Sequence, residues 1–318
     1  MLEILEAGGL VTVQDAGRHG WQKFGVPVSG PMDWFAFRAA NRLAGNAPDS
    51  AALEIGFGDL TLHAMRDCVV SVTGAGFVIS TYVWTFPLWT SFTVHAGGKI
   101  NILKQGDGNW AYLAVAGGIQ VEPALGSRST NLRAKLGNKL HVGDSLKIGK
   151  PSRSLDELAA RTFLPEKRPA YSSSPIIEVI QGPQSDWFPQ EGLDIFLKCD
   201  YEISASSDRM GYRLEGPAIA HARGADLLSE GMVAGSVEVP ANGQPIVMMA
   251  DCPTTGGYPK IANVVSADLP VLAQVPPCEG RIRFRMTSIE EAQSRHRVMM
   301  QDLKDGIEEV ENNATFAQ

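Results

Sequence analysis

The stretch LEIGFGDLTLH, residues 53–63, and the run CVVSVTGAG, residues 68–76, decide the fold class of this chain. Each is a short apolar run interrupted by glycine or aspartate, which is typical of β-strands joined by tight turns. Comparable runs recur at intervals of roughly 8–12 residues, the spacing of barrels and sandwiches. They include TSFTVHAG (90–97), INILK (100–104), AYLAVAGGI (111–119), IIEVIQG (176–182) and IVMMA (246–250). With 33 glycines and 19 prolines as turn formers, the sequence predicts a mainly β protein built from barrels or sandwiches rather than a helical bundle.

Only three segments have the pattern of helices. Residues 33–45 place apolar side chains at i, i+4 and i+8, between a capping Asp33 and a terminating Gly45. Capping boxes predict the starts of two further helices; the pairs are Ser154 with Glu157 and Thr287 with Glu290. Beyond the last helix we expect the terminal residues 308–318 to fray.

A polar stretch rich in proline and serine, residues 150–175, separates two strand-rich halves. Such a composition is typical of the segments that join domains. We therefore predict an N-terminal β-barrel domain over residues 1–150, a linker over 151–175, and a C-terminal β-barrel domain with a C-terminal helix over 176–318.

The composition excludes several classes of protein. A net charge of −7 and a pI near 5.4 leave no basic footprint for a nucleic acid. The chain begins with acidic rather than basic residues, and no apolar stretch reaches the length of a membrane span. The four cysteines fit neither a zinc spacing nor a CxxC motif. We expect a soluble cytoplasmic protein that holds no metal and binds neither nucleic acid nor membrane.

Standard nucleotide-binding and catalytic motifs are absent from the sequence. The segment GDSLKIGKP (143–151) looks like a phosphate-binding loop. It has one residue too many between its glycines, and Pro151 stands where magnesium needs a hydroxyl. There is no GxSxG elbow, no HExxH and no GxGxxG after a strand. Candidate functional residues must therefore be sought in other polar clusters.

The first polar cluster is VQDAGRHGWQKFGVPVSGPMD, residues 13–33, where Asp15, Arg18 and His19 lie among several glycines. One interpretation is a long turn that ends in a helix cap. The other is a site in which Arg18, beside His19, binds a carboxylate or a phosphate.

The second cluster, SASSDRMGYRLEGP (204–217), places many hydrogen-bonding side chains around one glycine turn. A surface ion pair of Asp208 with Arg209 or Arg213 would contribute only ~0–1 kcal/mol to stability. The density of polar groups, with little apolar filling, favours a functional loop over such a surface pair.

The third cluster is TTGGYPK, residues 254–260, between two apolar runs that have the pattern of strands. Its two glycines permit positive φ and a close approach of the backbone, so that successive N–H groups can bind an anion. The Tyr-Pro step biases the tyrosine towards an extended conformation, and Lys260 adds a cation. This set suits a carboxylate or a polarised amide carbonyl. The alternative is a plain turn with an exposed lysine.

These clusters belong to a series of motifs that resembles a known family. In chain order the motifs are TVQDAGRHGWQKFGVPVSGPMD, ALEI, TGAG, LAVAGGI, LGSRST, SSDRMGYRLEGP, SEGMVAGSVEVPANGQPI and MADCPTTGGYPKIA, and they cover nearly the whole chain. They resemble the allophanate hydrolase subunit 2 or KipA family. That family includes the C subunit (PxpC) of bacterial ATP-dependent 5-oxoprolinase, and it is similar to half of the carboxyltransferase region of biotin-dependent urea carboxylase.

The resemblance implies two cyclophilin-like β-barrels and a role within an assembly of several different chains. The leading implied activity is the ATP-driven opening of the 5-oxoproline lactam to glutamate. It implies ATP in the assembled complex and two partners, a KipI- or PxpB-like B subunit together with a PxpA-like A subunit. One alternative is a carboxyltransferase that acts on urea or a related amide and depends on biotin. A second is a non-enzymatic KipA-like regulator that binds a KipI-type kinase inhibitor.

Within the leading interpretation we assign site residues by their chemistry. An unstrained lactam needs an activated carbonyl, for example by phosphorylation from ATP, and hydrogen-bond donors stabilise the charge that develops on its oxygen. We assign catalytic roles to Lys260, Tyr258, Arg209 and Asp208. We expect ten further residues to bind the small-molecule substrate: Arg18, His19, Asp15, Arg213, Glu230, Asp251, Thr254, Thr255, Gly256 and Gly257.

Overall fold

Short strands dominate the structure, a computed structural model that describes residues 1–82 and 84–309. In chain order they are β1 (Leu2–Ala7), β2 (Leu10–Gln14), β3 (Ala52–Gly56), β4 (Leu60–Ala64), β5 (Cys68–Gly74), β6 (Phe77–Ser80), β7 (Thr85–Phe86), β8 (Thr90–Val94), β9 (Lys99–Lys104), β10 (Trp110–Val115), β11 (Ile119–Gln120), β12 (Ser145–Ile148), β13 (Arg161–Phe163), β14 (Ile176–Gln181), β15 (Tyr201–Ile203), β16 (Gly211–Glu215), β17 (Glu230–Gly231), β18 (Ser236–Glu238), β19 (Ile246–Met248), β20 (Thr255–Gly256), β21 (Lys260–Val264), β22 (Arg281–Met286) and β23 (Ile307–Glu309). The α-helices are α1 (Trp34–Leu43), α2 (Leu155–Leu158), α3 (Gln190–Lys198), α4 (Leu269–Ala273) and α5 (Ile289–Asp305). The prediction of a mainly β protein with few helices is confirmed. Within the described ranges, none of these helices has the length and apolar character needed to cross a membrane.

The strands and helices pack into two units, neither of which is one continuous segment. The first unit contains Met1–Gly17, Asp33–Pro169 and the residues from Met300 onward. The second contains Arg18–Met32 and Ala170–Met299. These units differ from the predicted domains in three places. Residues 18–32 belong to the second unit, residues 151–169 of the predicted linker belong to the first, and Met300 to residue 309 return to the first.

In the first unit the strands form two seven-stranded sheets, where the sequence suggested a closed barrel. One sheet has the order β11-β12-β1-β4-β9-β6-β7, and the other has the order β2-β3-β10-β5-β8-β13-β23. The apolar faces of both sheets contribute to one core, which includes Leu2, Ile4, Leu53, Ile55 and Leu113. Burial of each such side chain stabilises the fold by ~1.5–3 kcal/mol, and this shared core holds the two sheets together.

The stretch 53–63 is where the chain passes from one of these sheets to the other. It forms β3 and β4, which belong to different sheets and are joined by the turn at residues 57–59. A Cβ atom on Gly58 would lie 2.4 Å from the backbone nitrogen of Gly9. Only glycine therefore fits this turn, which lets Leu53 of β3 and Leu60 of β4 meet in the common core.

Helix α1 covers the outer face of the second of these sheets, so that β3, β5 and β10 are buried on both faces. The hydroxyls of Ser71 and Thr73 on β5 donate to carbonyl oxygens of α1, each at 2.6 Å. Asp33 caps the helix by accepting a hydrogen bond from Ala36 N at 2.9 Å. Gly45 follows the helix with a φ of 74°. Both predicted ends of α1 are confirmed.

In the second unit seven strands close into a barrel with the order β14-β21-β18-β19-β16-β15-β22. Their side chains alternate between the two faces, as the pleat requires. Tyr212, Leu214, Val237 and Val247 are buried on the inner face. Strands β17 and β20 form a separate two-stranded sheet, here called the ribbon, which contains Thr255 and Gly256 of the TTGGYPK loop.

The predicted linker, residues 151–175, is largely part of the first unit. It contains α2 and β13, and Leu158 of α2 packs against Val69 and Ala116. Ser154 caps α2 as predicted, because its hydroxyl accepts from Glu157 N. After Pro169 the chain enters the second unit again, at Ala170.

The C-terminal region differs from the prediction in two details. Helix α5 begins one residue later than its predicted capping box, since Ser288 Oγ accepts from Glu291 N at 3.1 Å while the Thr287 hydroxyl donates to the Glu291 carboxylate. Residues 308 and 309 do not fray, because β23 pairs with β13 in the register Phe163↔Ile307. Residues 310–318, for which fraying was also predicted, lie outside the described residues.

The cap of α1 should stabilise the fold measurably. Asp33 is fully buried (0% exposed), so water cannot replace its side-chain acceptor, and Asp33→Ala should lower the free energy of unfolding by about 1–2 kcal/mol. Ser154→Ala removes an exposed cap from a four-residue helix and should cost less, about 0.5 kcal/mol. Urea unfolding followed by far-ultraviolet circular dichroism measures both. Equal losses in the two variants would contradict this account of α1.

Candidate functional site

Strand register brings charged residues from distant parts of the sequence into one row across the barrel. Lys260 on β21 pairs with Glu238 on β18, Glu238 pairs with Ile246 on β19, and Ile246 pairs with Arg213 on β16. Neighbouring strands lie ~4.8 Å apart. The row therefore places two cations and one carboxylate on four consecutive strands of the barrel.

A cavity of about 590 Å³ lies over part of this row. Its lining includes Glu238, Ile246 and Arg213 from the row, Asp208 from the second polar cluster, and Tyr258 from the TTGGYPK loop. Ser204, Ser206, Asn242 and Gln244 add polar groups, and Met210 and Met248 add apolar surface. A concave site that combines apolar walls with a few polar groups suits a small organic ligand.

Lys260 is buried, unlike the exposed lysine of a plain turn. Its side chain is 5% exposed, and Nζ lies 3.2 Å from Oε2 of Glu230, whose side chain is about half exposed. Gln184 Nε2 donates to the same oxygen at 2.9 Å, and Gln184 Oε1 accepts from Lys260 N at 3.2 Å. This arrangement fixes the position of the ammonium group.

The ribbon holds Glu230 in place over Lys260. Glu230 pairs with Gly256 and Gly231 pairs with Thr255, while Thr254 O accepts from Met232 N and Gly257 O accepts from Leu227 N. Of the predicted binding residues, Thr255 and Gly256 therefore form β20, and Thr254 and Gly257 flank it with backbone hydrogen bonds. Tyr258 follows with its side chain partly exposed at the cavity.

The glycines of the loop serve close packing, and neither has a positive φ. A Cβ atom on Gly256 would lie 2.1 Å from Oε1 of Glu238. The loop can therefore lie against this carboxyl group only because residue 256 has no side chain. Of the two properties that the sequence analysis named for these glycines, Gly256 shows the close approach and neither shows a positive φ.

Glu238 is the functional candidate that sequence reasoning missed. The residue is 4% exposed, and its Oε1 has no hydrogen-bond partner among the described residues. Burial raises its pKa above the ordinary value of glutamate, and the charge of Lys260 and a hydrogen bond from Tyr258 N–H only partly offset this effect. The only signal in the sequence is an acidic residue between two valines in the run SVEVP (236–240). Only the pairing of β18 with β21, which places Glu238 opposite Lys260, marks this residue as a candidate.

Arg209 and Asp251, predicted as a catalytic and a binding residue, bind each other. Arg209 Nε lies 2.9 Å from Asp251 Oδ2, and Nη2 lies 3.0 Å from Oδ1. Nη2 also donates to Gly30 O at 2.7 Å. The buried guanidinium group thus links Asp251, in the turn after β19, to the segment 18–32. These hydrogen bonds help to hold that segment in the second unit.

The remaining predicted residues of the second cluster have separate places. Asp208 Oδ1 accepts from Met210 N at 2.8 Å and from Gly211 N at 3.3 Å, so it shapes the turn before β16 while lining the cavity. Arg213 is exposed and also lines the cavity. Of the predicted residues, the cavity brings together Asp208, Arg213 and Tyr258.

The first cluster is divided between the two units. Arg18 is 1% exposed in the second unit, and its backbone N–H donates to Val28 O. His19 is exposed. Asp15 belongs to the first unit.

Asp15 organises the LGSRST loop (125–130). Its carboxylate accepts from Ser127 Oγ at 2.5 Å, from Ser129 Oγ at 2.6 Å and from Arg128 N at 2.5 Å. Burial alone would raise the pKa of Asp15, but the hydrogen bonds from Arg128, Ser127, Ser129 and Gly17 hold it below its ordinary value. The carboxylate is therefore engaged by a structural loop.

This lowered pKa predicts how stability depends on pH. The ionised Asp15 stabilises the fold above the ordinary aspartate value of 3.8, and that contribution is lost as the pH falls through the lowered pKa. Asp15→Asn should therefore destabilise the protein at pH 7 and match the wild type increasingly well in acid. Urea midpoints between pH 7 and pH 3 measure this. Asp49→Asn, at a half-exposed carboxylate paired with Arg38, is the control, and a pH-independent effect of Asp15→Asn would contradict the assignment.

Comparisons with known proteins identify the family of this chain. The carboxyltransferase domain family, subdomains A and B, matches residues 24–286. The chain is 40% identical over 300 residues to the C subunit of 5-oxoprolinase from Escherichia coli, a match that covers 92% of this chain and 93% of that protein.

Two solved structures are also similar. The crystal structure of TTHA0988 is 34% identical with a TM-score of 0.81 and covers 89% of this chain, and this chain spans only 55% of it. The Kluyveromyces lactis urea carboxylase is 28% identical with a TM-score of 0.86, and the match covers 97% of this chain and 29% of that one. These findings confirm the resemblance drawn from the motifs. The chain belongs to the carboxyltransferase domain family, subdomains A and B.

Proposed function

We propose that this chain is the C subunit of an ATP-dependent 5-oxoprolinase, which opens the lactam of 5-oxoproline to glutamate together with A and B subunits. The observation that carries the proposal is the match to the C subunit of the E. coli 5-oxoprolinase over 92% of this chain and 93% of that protein. A match over nearly all of both chains supports the same role in the same kind of complex. The proposed location is the cytoplasm, which supplies ATP and keeps cysteines reduced.

This chain contributes a substrate-binding surface rather than a nucleotide site. The one stretch that looks like a phosphate-binding loop, 143–151, contains strand β12, which pairs with β1 in the register Leu2↔Leu146. The helix that follows it, α2, has only four residues, and Ser154 already caps its N-terminus, so it offers no phosphate site of the usual kind. We assign ATP binding to the partners, a KipI- or PxpB-like B subunit together with a PxpA-like A subunit.

Lys260 is the group best placed to act on a lactam carbonyl. Its ammonium is desolvated and fixed by Glu230 and Gln184, so it can stabilise negative charge on oxygen without reorganising. A desolvated cation acts more strongly than one in water because the effective dielectric constant is lower. Tyr258 and Arg213, at the cavity, are positioned to orient the substrate.

A carboxyltransferase acting on urea or a related amide is the second candidate. The similarity to the K. lactis urea carboxylase, with a TM-score of 0.86, supports it. That activity depends on biotin carried by another domain, so it would again require partners.

The test of the proposal is reconstitution. Co-expression with A and B subunits should give ATP-dependent release of glutamate from 5-oxoproline, and the purified chain alone should give none. A complex that is inactive on 5-oxoproline but carboxylates urea when biotin carboxylase and a biotinylated carrier are added would favour the second candidate. Turnover of 5-oxoproline by this chain alone would contradict the assignment of ATP binding to the partner subunits.

Removal of the charge of Lys260 should lower the activity of the assembled complex at least ~100-fold, since one donor to a developing oxyanion contributes 10²–10³ in rate. Lys260→Met removes the charge but retains an unbranched buried side chain, so it tests the ammonium group alone. Lys260→Ala also leaves a cavity. Lys260→Arg should restore little, because a planar guanidinium does not reproduce a compact ammonium.

The matched control is Lys198→Met, at an exposed lysine of the same unit that pairs with Asp194. It should retain full activity and stability. Melting temperatures of all variants separate loss of chemistry from loss of fold. Near-normal turnover of a stable Lys260→Met complex would exclude a catalytic role for this residue.

A further inference from the structure

The Glu238 carboxyl group is buried although only part of it is engaged by its neighbours. It lines the cavity, is 4% exposed, and leaves Oε1 without a hydrogen-bond partner among the described residues. The loop above it needs a glycine at position 256 to make room for it. An apolar side chain would fill the same space without an unpaired polar atom, so the carboxyl group suits a ligand better than it suits the fold.

Several charged and titratable groups surround this carboxyl. Lys260 on β21 attracts it and Tyr258 N–H donates to it. On the loop that precedes β20, burial raises the pKa of Cys252 to about 11, and the charges of Asp251 and Glu238 add to this effect. Around the cavity Asp208 and Glu215 are negative and Arg213 is positive.

The balance of these groups shifts Glu238 towards its neutral form, because burial raises its pKa more than its neighbours lower it. Lys260 is the cation that acts on it, and Glu230 already holds that ammonium at 3.2 Å. Burial therefore dominates, and the pKa of Glu238 is raised. A neutral carboxyl presents an O–H donor beside a carbonyl acceptor.

We propose that the cavity binds the lactam of the substrate through a neutral Glu238 carboxyl, which pairs with the amide N–H and C=O, while Arg213 binds the substrate carboxylate. A lactam is held in the cis form, so its N–H and C=O lie side by side and complement this donor–acceptor pair. Arg213 and Glu238 flank Ile246 in the strand register. Two strand spacings, ~10 Å between their backbones, leave room for a small ring that both side chains can reach. The proposal rests on the proposed function, because it names how the same site recognises 5-oxoproline.

Calorimetric titration of the purified chain with 5-oxoproline, and with proline as the analogue that lacks the carbonyl, tests this. We expect 5-oxoproline to bind at least tenfold more tightly than proline. Affinity should fall about tenfold per pH unit above the pKa of Glu238, since only the protonated form binds. The substrate carboxylate remains ionised throughout.

Variants separate the two contacts. Glu238→Gln keeps a donor beside an acceptor, so it should retain binding and remove the pH dependence, whereas Glu238→Leu should weaken binding at least tenfold. Arg213→Gln should also weaken binding at least tenfold. Arg223→Gln, at an exposed arginine of the same unit paired with Asp186, should change nothing. Circular dichroism and melting temperature confirm that each variant is folded.

Equal binding of 5-oxoproline and proline, or an unchanged pH profile in Glu238→Gln, would overturn the inference. So would a lack of measurable binding to the chain. Assays of the assembled complex separate this inference from the proposed function. Full 5-oxoprolinase activity in the Glu238→Leu complex refutes the role of Glu238 and leaves the proposed function standing. Specific lactam binding by the chain, with no activity in the assembled complex, supports the site and refutes the proposed function.

Discussion

The need to bury one ammonium group constrains the second unit more than any other interaction. An unpaired lysine at the burial of Lys260 would lose its proton or cost several kcal/mol. Glu230 prevents this from a distance of 3.2 Å, and Gln184 binds both partners. Glu230 reaches that position only because the ribbon pairs it with Gly256. The glycine loop, the ribbon and the barrel register all follow from this one requirement.

A second carboxyl beside the same cation makes the site asymmetric. Glu230 is about half exposed and Glu238 is almost fully buried. Burial raises the pKa of Glu238, and the charge of Lys260 only partly offsets this effect. The same lysine therefore has one carboxyl neighbour that reaches solvent and one that does not.

Local patterns in the sequence predicted the elements of the fold, while long-range pairing did not follow from them. The apolar runs marked most strands, and Asp33 and Gly45 marked both ends of α1, because these signals act within a few residues. The division of the first unit into two sheets depends on Gly58 lying against Gly9, a contact that no local pattern encodes. The same holds for the site. Lys260 and Tyr258 were found through an unusual loop, but Glu238 acquires its meaning only from cross-strand register. Arg209 and Asp15 are of residue types that often bind ligands, yet they form hydrogen bonds with Asp251 and with the LGSRST loop.

The pairing of β23 with β13 has a consequence for synthesis of the chain. The first unit begins at Met1, yet one edge of its second sheet is completed by Ile307–Glu309. The whole barrel of the second unit lies between these points in the sequence. Domains generally fold as they leave the ribosome, the N-terminal one first. Here the barrel can close while the first unit still lacks its last strand, so the part of the protein that is made first is the last to be finished.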